Sequence, residues 1–356
     1  MKSAIGGPTV PWLPVILGLC TLVLVGIGSW GVWALGPVDP SREAPVLIRV
    51  SAGSTVSQVI DELAAKELIR SAFWMKVAAR TTRATVREGL YHVTASEAPL
   101  ALLLAFSAGL VDEVQVTIPE GWRAEEMARR LVASGVLVDP DGFAAALVNP
   151  AVATEFRTKY GLADSQSLEG FLFPDTYRFA QESPAEAVIE KLLATFETRT
   201  AGLAVQPETV ILASLVEREA KFAEDRAPIA RVYLNRLARG MRLEADPTVQ
   251  FGKANGLFAD CLLSSGTAAS ATCQDLDWWP QVTRADYQGV DAPSNTYRIA
   301  GLPPEPIANP GLASIEAVLS PATHGDLYFV TDAAGHAHFA ATLDGHNANQ
   351  RRYLNQ

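Results

Sequence analysis

The sequence has few of the side chains that bind metal ions. It contains 3 cysteines and 5 histidines in 356 residues. It has no C-x-x-C pair and no H-E-x-x-H pattern, so ligands for a zinc cluster are too few. His336 and His338 would share one face of a strand, but such a pair alone is more typical of a surface than of a metal site. We therefore expect a protein that uses neither a metal ion nor another cofactor.

Positive charge is also scarce, since 29 Lys and Arg face 39 Asp and Glu and the net charge is −10. The basic residues form no contiguous run and do not interleave with aromatic residues. A negatively charged chain without a basic patch is repelled by the phosphates of DNA and RNA, so we expect no nucleic-acid partner. Charged residues make up 19% and apolar residues 49% of the chain, which excludes both a disordered protein and a polytopic membrane protein.

No charged residue occurs between Lys2 and Asp39. Residues 15–35 are continuously apolar or small, which is long enough to span a bilayer, and tryptophans lie near the ends as interfacial anchors do. A cleaved signal peptide is the alternative, but W-A-L-G-P is a poor cleavage site. Lys2 and the N-terminal amine favour a short cytoplasmic tail, residues 1–14, with everything beyond the helix outside the cytoplasm. We expect a single-pass protein of the cytoplasmic (inner) membrane.

Two folded regions follow a short polar linker, residues 36–46. The first, residues 47–112, has the pattern of a strand, a glycine turn, two helices and a returning strand. The second, residues 113–356, combines amphipathic helices with short strands, and D-L-Y-F-V-T-D-A-A-G-H-A-H-F predicts a hairpin near its end. We predict an α+β fold with an N-terminal transmembrane helix, a small α+β subdomain and a mixed α+β domain.

An apolar helix predicted over residues 210–223 carries two acids, Glu217 and Glu219. At 3.6 residues per turn, Glu219 lies on the apolar face, whereas Glu217 points roughly 200° away. A carboxyl group held against apolar side chains has a raised pKa and can donate a proton near neutral pH. Glu219 is therefore the candidate general acid. From periodicity alone, a helix end at which Glu219 pairs with a base such as Lys221 is the simpler interpretation.

Several segments beyond the apolar helix form a recognisable ordered set. They are I-P-E-G-W (118–122), L-E-G-F-L-F-P-D-T-Y (168–177), A-S-L-V-E-R-E (213–219), N-R-L-A-R-G-M-R-L-E-A-D-P-T-V (235–249), N-T-Y (295–297), G-L-P-P (301–304), L-Y-F-V-T-D (327–332) and H-N (346–347). In this order they resemble the endolytic murein transglycosylase (MltG, or YceG-like) family. The resemblance covers nearly everything after the apolar helix.

The resemblance implies a membrane anchor, a LysM-like subdomain within residues 47–112 and a catalytic domain that cleaves peptidoglycan strands internally. The family's catalytic glutamate is the second acid of S-[IL]-[IV]-E-x-E, which falls on Glu219. That acid protonates the glycosidic oxygen between MurNAc and GlcNAc, then accepts the proton of the MurNAc C6 hydroxyl as a 1,6-anhydro end forms. Peptidoglycan synthases (penicillin-binding proteins) are the expected partners, because a cut beside a synthase would terminate the nascent strand.

Other polar residues in the matching segments are candidate contacts for sugar or peptide. Glu217 has the alternative of a solvated acid or a salt bridge with Arg218 or Arg231, and Asp246 has that of a turn residue before Pro247. The candidates are Glu217, Asn235, Asp246, Thr248, Gln250, Asn295 and Tyr297.

The chain departs from the family pattern at three positions. Ala220 replaces a hydroxyl residue, Ser294 an aromatic or similar residue and Glu305 a glycine. A segment rich in Ser, Ala and Gly also resembles an insertion, and in an oxidising compartment its Cys261 and Cys273 could close a disulfide. These departures concern substrate contacts more than the reaction.

Two other functions stay open at this point. A muramidase on the same scaffold would use water as the acceptor and would need Asp246 as a second carboxylate. A membrane-anchored cell-wall binding scaffold with an inactive site would need neither acid, and Glu219 on an apolar face argues against it.

Overall fold

The computed structural model describes residues 12–51, 53–109, 113–138, 140–265, 273 and 275–354. The chain divides into two compact units, Met1–Glu113 and Val114–Gln356. Both units combine helices with short strands, which confirms the predicted mixture of helix and strand. Most of the predicted tail, residues 1–14, lies outside the described residues.

The first unit begins with an apolar helix, α1, over Trp12–Ala34. Its segment Ile16–Ala34 has a mean hydropathy of 1.9 and is almost entirely unburied. Within the described ranges, α1 is the one helix long and apolar enough to cross a membrane. It is a candidate membrane span, although a signal sequence would have the same length and composition.

The rest of the first unit is a pair of strands covered by helices. The elements are β1 (Val46–Val50), α2 (Val56–Ala65), α3 (Ala72–Thr82), β2 (Gly89–Val93) and α4 (Pro99–Ala108). β1 and β2 pair antiparallel, with Ile48 opposite Tyr91. The Thr55 hydroxyl accepts a hydrogen bond from the Gln58 N–H at 3.3 Å and so caps the start of α2. Ile48 and Tyr91 lie in one apolar core with residues of all three helices.

The second unit starts with helices around an aromatic core. The elements are β3 (Glu113–Thr117), α5 (Ala124–Ala133), α6 (Pro140–Leu147), α7 (Thr154–Tyr160), β4 (Thr176–Ala180) and α8 (Ala185–Arg199). β3 and β4 form a two-stranded sheet. The rings of Phe156, Phe171 and Phe196 meet at steep angles with centroids 5.3, 5.5 and 6.0 Å apart. The aromatic segment 168–177 therefore belongs to the core.

The central helix of the second unit is α9. The elements that follow the aromatic layer are α9 (Pro207–Glu219), α10 (Ala223–Ala238), α11 (Asp246–Ser265), α12 (Arg284–Gly289), α13 (Leu312–Leu319), β5 (Tyr328–Thr331), β6 (Ala337–Ala340) and α14 (Leu343–Tyr353). All residues from Thr209 to Val216 are buried, because α10, α11 and α13 pack around α9. Strands β5 and β6 pair antiparallel with Val330 opposite His338, which confirms the predicted hairpin.

The helix predicted over residues 210–223 is interrupted in the structure. α9 ends at Glu219, Ala220 is extended with φ −84° and ψ 115°, and α10 begins at Ala223. Apolar periodicity did not reveal the break, because Phe222 and Ala223 keep helical spacing across it. Two helix ends therefore meet beside Glu219.

A disulfide joins Cys261, in the last turns of α11, to Cys273, with their Cα atoms 5.7 Å apart. Cys20 is free and lies exposed on α1. The Trp278 ring, shortly after the bridge, contacts the Phe258 ring of α11 at 5.1 Å between centroids. The bridge and this ring contact hold Cys273 and Trp278 against α11.

Replacing both bridged cysteines by serine should lower the free energy of unfolding by about 3 kcal/mol, as expected for a loop of this length. Urea unfolding of the full-length chain in detergent, followed by tryptophan fluorescence, measures the loss. Cys20→Ser is the control and should unfold like the wild type. An unchanged midpoint for the double variant would show that the bridge adds no stability.

Candidate active site

Glu219 is the last residue of α9 and lies where the buried core reaches the surface. The residue keeps some exposure, but its carboxyl group is enclosed by protein. The core beneath it includes Leu215 and Val216 of the same helix and Ile229 of α10. The buried helix therefore carries one acid into an apolar environment, as the sequence predicts for this face.

Tyr233 of α10 is the direct partner of Glu219. Its hydroxyl donates a hydrogen bond to Glu219 Oε1 at 2.9 Å. Tyr233 is almost fully buried, and burial together with the neighbouring carboxylate raises the pKa of its hydroxyl well above the usual value. The phenol therefore stays protonated and remains a hydrogen-bond donor.

Burial raises the pKa of Glu219 from 4.5 to about 7. The hydrogen bond from Tyr233 lowers this pKa, the negative charge of Asp246 raises it, and the guanidinium groups of Arg218 and Arg236 lower it. Burial is the largest of these effects on the pKa. Near neutral pH the carboxyl group is thus present in both protonation states, so it can donate a proton and accept one.

Asp246 begins α11 and is held by two tyrosines. The Tyr297 hydroxyl donates to Asp246 Oδ1 at 2.6 Å, and the Tyr287 hydroxyl donates to Oδ2 at 3.3 Å. The two rings stack, with centroids 4.1 Å apart and an interplanar angle of 8°. The structure thus brings Asp246, a predicted contact residue, into the electrostatic neighbourhood of Glu219, with Tyr297, another predicted contact residue, bonded to Asp246.

Glu217 lies in a different environment, although it is two residues from Glu219. Its Oε2 accepts from the Gly311 N–H at 3.1 Å and from the Ser314 hydroxyl at 2.7 Å, and its Oε1 accepts from Arg226 Nη2 at 3.2 Å. Only 6% of the side chain is exposed. Glu217 therefore joins the start of α13 to α9, and its ion pair is with Arg226, not with Arg218 or Arg231.

The other predicted contact residues make hydrogen bonds within the protein. Asn235 donates to the carbonyls of His324 and Asp326, and Asn295 to those of Tyr287 and Val290. The buried Thr248 hydroxyl lies 2.9 Å from that of Thr296. The Gln250 amide donates to the carbonyls of Trp279 and Pro280 at 3.3 and 3.2 Å. Thr248 and Asn295 thus position the segment that carries Tyr297, whereas Asn235 holds the segment before β5 and Gln250 the segment of Trp279.

Three residues of the site were not selected as site residues from the sequence: Tyr233 and Arg218, which act on Glu219, and Trp279, which lies against Arg218. The Arg218 guanidinium carbon lies 3.7 Å from the centroid of the Trp279 ring. The Trp279 indole N–H donates to Glu126 Oε2 at 3.1 Å. The doublet Trp278–Trp279 was visible in the sequence, but it lies in a segment without strand or helix periodicity, so nothing indicated its neighbours.

The departure at Glu305 lies in a second group of acids. Burial raises the pKa of Glu305, the negative charge of Glu125 raises it further, and Arg123 lowers it. Glu169 is buried and interacts with the same charged residues, Glu125 and Arg123. Its pKa is raised to about 8, chiefly by burial. The Glu169 carboxylate accepts from the Ala124 N–H at 2.9 Å and from the Asn309 amide. Glu305 therefore interacts with this group, and Glu219 is not among its charged neighbours.

In the described part of the chain, no group of three or more His, Cys, Asp or Glu side chains is arranged to hold a metal ion. The chemistry that this site supports is proton transfer through a glutamate whose pKa lies near 7. Fold and geometry therefore define the class of protein: a mixed α+β protein with an acid–base site built on one glutamate.

The model of the YceG-like family matches residues 48–352, which is most of the chain. The chain belongs to the YceG-like family.

Relatives and a solved structure agree with this assignment. A Bacillus subtilis (strain 168) protein named endolytic murein transglycosylase is 28% identical, and the match covers 94% of this chain and 91% of the relative. A Streptococcus pneumoniae (strain D39) protein of the same name is 26% identical, and the match covers 90% of this chain and 61% of that relative. The crystal structure of a YceG-like protein from Listeria monocytogenes superposes with a TM-score of 0.53 at 28% identity, covering 86% of this chain and 99% of that one.

The raised pKa of Glu219 predicts a pH-dependent stability. Its folded pKa, about 7, exceeds the unfolded value of 4.5. The contribution is therefore fully present below pH 4.5 and is lost as the pH rises through 7. Glu219→Gln should be more stable than the wild type at pH 8 by about 2 to 3 kcal/mol, with no difference near pH 4. Urea unfolding at several pH values measures this, and a pH-independent difference would contradict it.

Glu217→Gln should destabilise the protein by about 1 to 3 kcal/mol, because it weakens the bonds to Gly311, Ser314 and Arg226 at a buried site. Glu208→Gln, at an exposed position in the first turn of the same helix, is the matched control and should change stability by less than about 0.5 kcal/mol. Thermal and urea unfolding compare the two. Equal stability of both variants would remove the structural role assigned to Glu217.

Proposed function

We propose that this protein is a membrane-anchored endolytic lytic transglycosylase that cleaves MurNAc–GlcNAc bonds within peptidoglycan strands and leaves 1,6-anhydro-MurNAc ends. The observation that carries the proposal is the enclosed Glu219 carboxyl group, with a pKa of about 7 and a hydrogen bond from Tyr233. The names of the relatives support the substrate and the reaction.

The reaction needs one group that first donates a proton and then accepts one. Protonated Glu219 gives its proton to the glycosidic oxygen as the bond from that oxygen to MurNAc C1 breaks, and GlcNAc leaves with a free hydroxyl. The Glu219 carboxylate then removes the proton of the MurNAc C6 hydroxyl, whose oxygen bonds to C1. The cycle ends with Glu219 protonated again, and no water is consumed.

Tyr233 and Asp246 have supporting roles in this mechanism. The Tyr233 hydroxyl orients one carboxylate oxygen of Glu219 and stabilises its negative charge after the first transfer. The charge of Asp246 raises the pKa of Glu219 and also favours the positive charge that develops at C1.

The contacts of Asp246 favour transglycosylation over the muramidase alternative. Hydrolysis needs a second carboxylate that activates a water or attacks the sugar. Both oxygens of Asp246 already accept hydrogen bonds from Tyr297 and Tyr287. A carboxylate whose two oxygens are both held by phenols is less free to approach the sugar or a water.

We further propose that α1 anchors the protein in the cytoplasmic membrane, with the short N-terminus in the cytoplasm and the rest on the periplasmic side. The proposed domains are a cytoplasmic tail (1–14), a transmembrane helix (15–35), a linker (36–46), a LysM-like subdomain (47–112) and a catalytic domain (113–356). A cut made beside a peptidoglycan synthase would terminate strand elongation, so a synthase is the proposed partner.

Full-length protein in detergent, incubated with purified peptidoglycan, should release products with 1,6-anhydro ends that mass spectrometry identifies. Glu219→Gln should reduce their formation at least 100-fold, in line with about 10²–10⁴-fold for a lost general acid. Glu217→Gln, assayed where it remains folded, should keep most of the activity, since its carboxylate serves α13.

Other products would decide between the alternatives. Reducing ends in place of anhydro ends would mean hydrolysis, and Asp246→Asn would then be the next variant to assay. Glycan that is bound but not cut by the wild type would support the inactive scaffold. Full activity in Glu219→Gln would exclude Glu219 as the acid.

A further inference from the structure

Residues 68–87 carry a positive charge that contrasts with the rest of the chain. Five basic residues occur there, Arg70, Lys76, Arg80, Arg83 and Arg87, with no acid between them, in a protein of net charge −10. Lys76 and Arg80 lie on α3, Arg70 and Arg83 lie close to its two ends, and Arg87 lies in the connection to β2. The segment does not belong to the proposed catalytic site, so the charge calls for another explanation.

Three of these basic side chains lie near an exposed aromatic ring. Phe73, Lys76 and Arg80 follow one another at intervals of three or four residues, which places them on one face of α3, and Arg83 is the residue that ends the helix. Phe73 is 63% exposed, which is unusual for a phenylalanine. The same side chains line one open cleft between α2 and α3. We call this surface the α3 face.

The charge of the α3 face is only partly neutralised within the protein. Lys76 forms an ion pair with Asp61 at 2.6 Å. Arg80 and Arg83 are exposed and form no ion pair with any residue that the structure describes. Two exposed arginines beside an exposed phenylalanine can bind a surface that combines anionic groups with an apolar interior.

The start of α3 is attached to the last turns of α1. The edge of the Trp74 ring meets the Trp30 ring at 5.9 Å between centroids. A Cβ atom added to Gly31 would lie 3.1 Å from the Trp74 ring, so the glycine permits this close approach. Arg70 Nη1 donates to the Trp33 carbonyl at 3.0 Å, and its guanidinium carbon lies 4.8 Å from the centroid of the Trp33 ring.

These contacts place the α3 face at the depth where α1 would leave a bilayer. Trp30 and Trp33 are 55% and 57% exposed at the end of an apolar helix, which is where interfacial tryptophans occur. Phe73 is next to Trp74 in the chain, and their rings lie 5.5 Å apart. A bilayer around α1 therefore meets Phe73 at its surface, with Arg80 further along the same helix and Arg83 at its end.

We propose that the α3 face binds anionic lipid headgroups, with Phe73 inserted at the membrane interface and Arg80 and Arg83 on lipid phosphates. The inference rests on the membrane-anchored part of the proposed function and goes beyond it. Binding would hold the subdomain of the first unit against the bilayer. The attraction is electrostatic, so it weakens with added salt and depends on the fraction of anionic lipid.

An environment-sensitive fluorophore attached to single cysteines tests the proposal in full-length protein reconstituted into vesicles. The native Cys20, exposed on α1, reports insertion of the anchor. Cys20→Ser with Phe73→Cys reports the α3 face. The vesicles contain phosphatidylcholine alone or phosphatidylcholine with phosphatidylglycerol, and a quencher is tethered to the lipid headgroups.

At position 73 we expect a blue-shifted emission and at least about twofold stronger quenching in the anionic vesicles. Adding Arg80→Glu and Arg83→Glu should abolish the difference, whereas Arg80→Lys and Arg83→Lys, which keep the charge, should retain it. A probe at Leu104 is the matched control. Leu104 is 70% exposed on α4, a helix without basic residues, and its signal should not depend on lipid charge.

Each remaining outcome overturns the inference. Quenching at Cys20 without lipid contact at position 73 would reject the α3 face while leaving the anchor intact. Absence of quenching at Cys20 would reject the anchor, and with it the inference, without affecting the transglycosylase assay. A response at position 73 to added peptidoglycan, but not to lipid charge, would assign the face to glycan.

Discussion

The enclosure of one carboxyl group at the end of α9 is the constraint on which the proposed chemistry depends. Residues 209–216 are buried without interruption, so the last turn of the helix carries Glu219 out of the core only as far as its edge. Burial disfavours the charged carboxylate and raises its pKa to about 7. The Tyr233 hydrogen bond keeps that pKa from rising further. Because these two effects balance near pH 7, the Glu219 carboxyl group can both donate and accept a proton.

Two acids that are neighbours in the chain have different roles because a helix turns 100° per residue. Glu219 faces Tyr233, whereas Glu217 faces the start of α13, where N–H groups lack partners within the helix. An anion at such a helix start is stabilised by these donors, and Arg226 adds an ion pair. Glu217 therefore ties α9 to the start of α13, whereas Glu219 on the other face of the helix is left to Tyr233.

Trp279, which follows α11 in the chain, lies beside the site and is not part of the family motifs. Trp279 covers the Arg218 guanidinium, and Gln250 and Glu126 hold Trp279 from two other helices. Arg218 lowers the pKa of Glu219, so the position of this arginine bears on the acid itself. The disulfide at Cys261 keeps Cys273 against α11.

The sequence by itself determined the features that depend on residues close together in the chain. These were the apolar helix at the N-terminus, the mixture of helices and strands, the hairpin near the C-terminus and the position of Glu219 on the apolar face of its helix. Each follows from a period of 2 or 3.6 residues or from a continuous apolar run. The same reasoning did not detect the break after Glu219, since apolar spacing continues across the extended Ala220.

Tertiary structure alone decided which side chains meet. Tyr233 reaches Glu219 only because α10 folds back against α9, and Asp246 meets Tyr297 across 51 positions of the chain. Asn235, Thr248, Gln250 and Asn295 were sound candidates by residue type, yet each is bonded to protein groups that only folding brings near. Periodicity shows which face of an element is buried. It cannot show what is packed against that face, because the partner is set by contacts between distant parts of the chain.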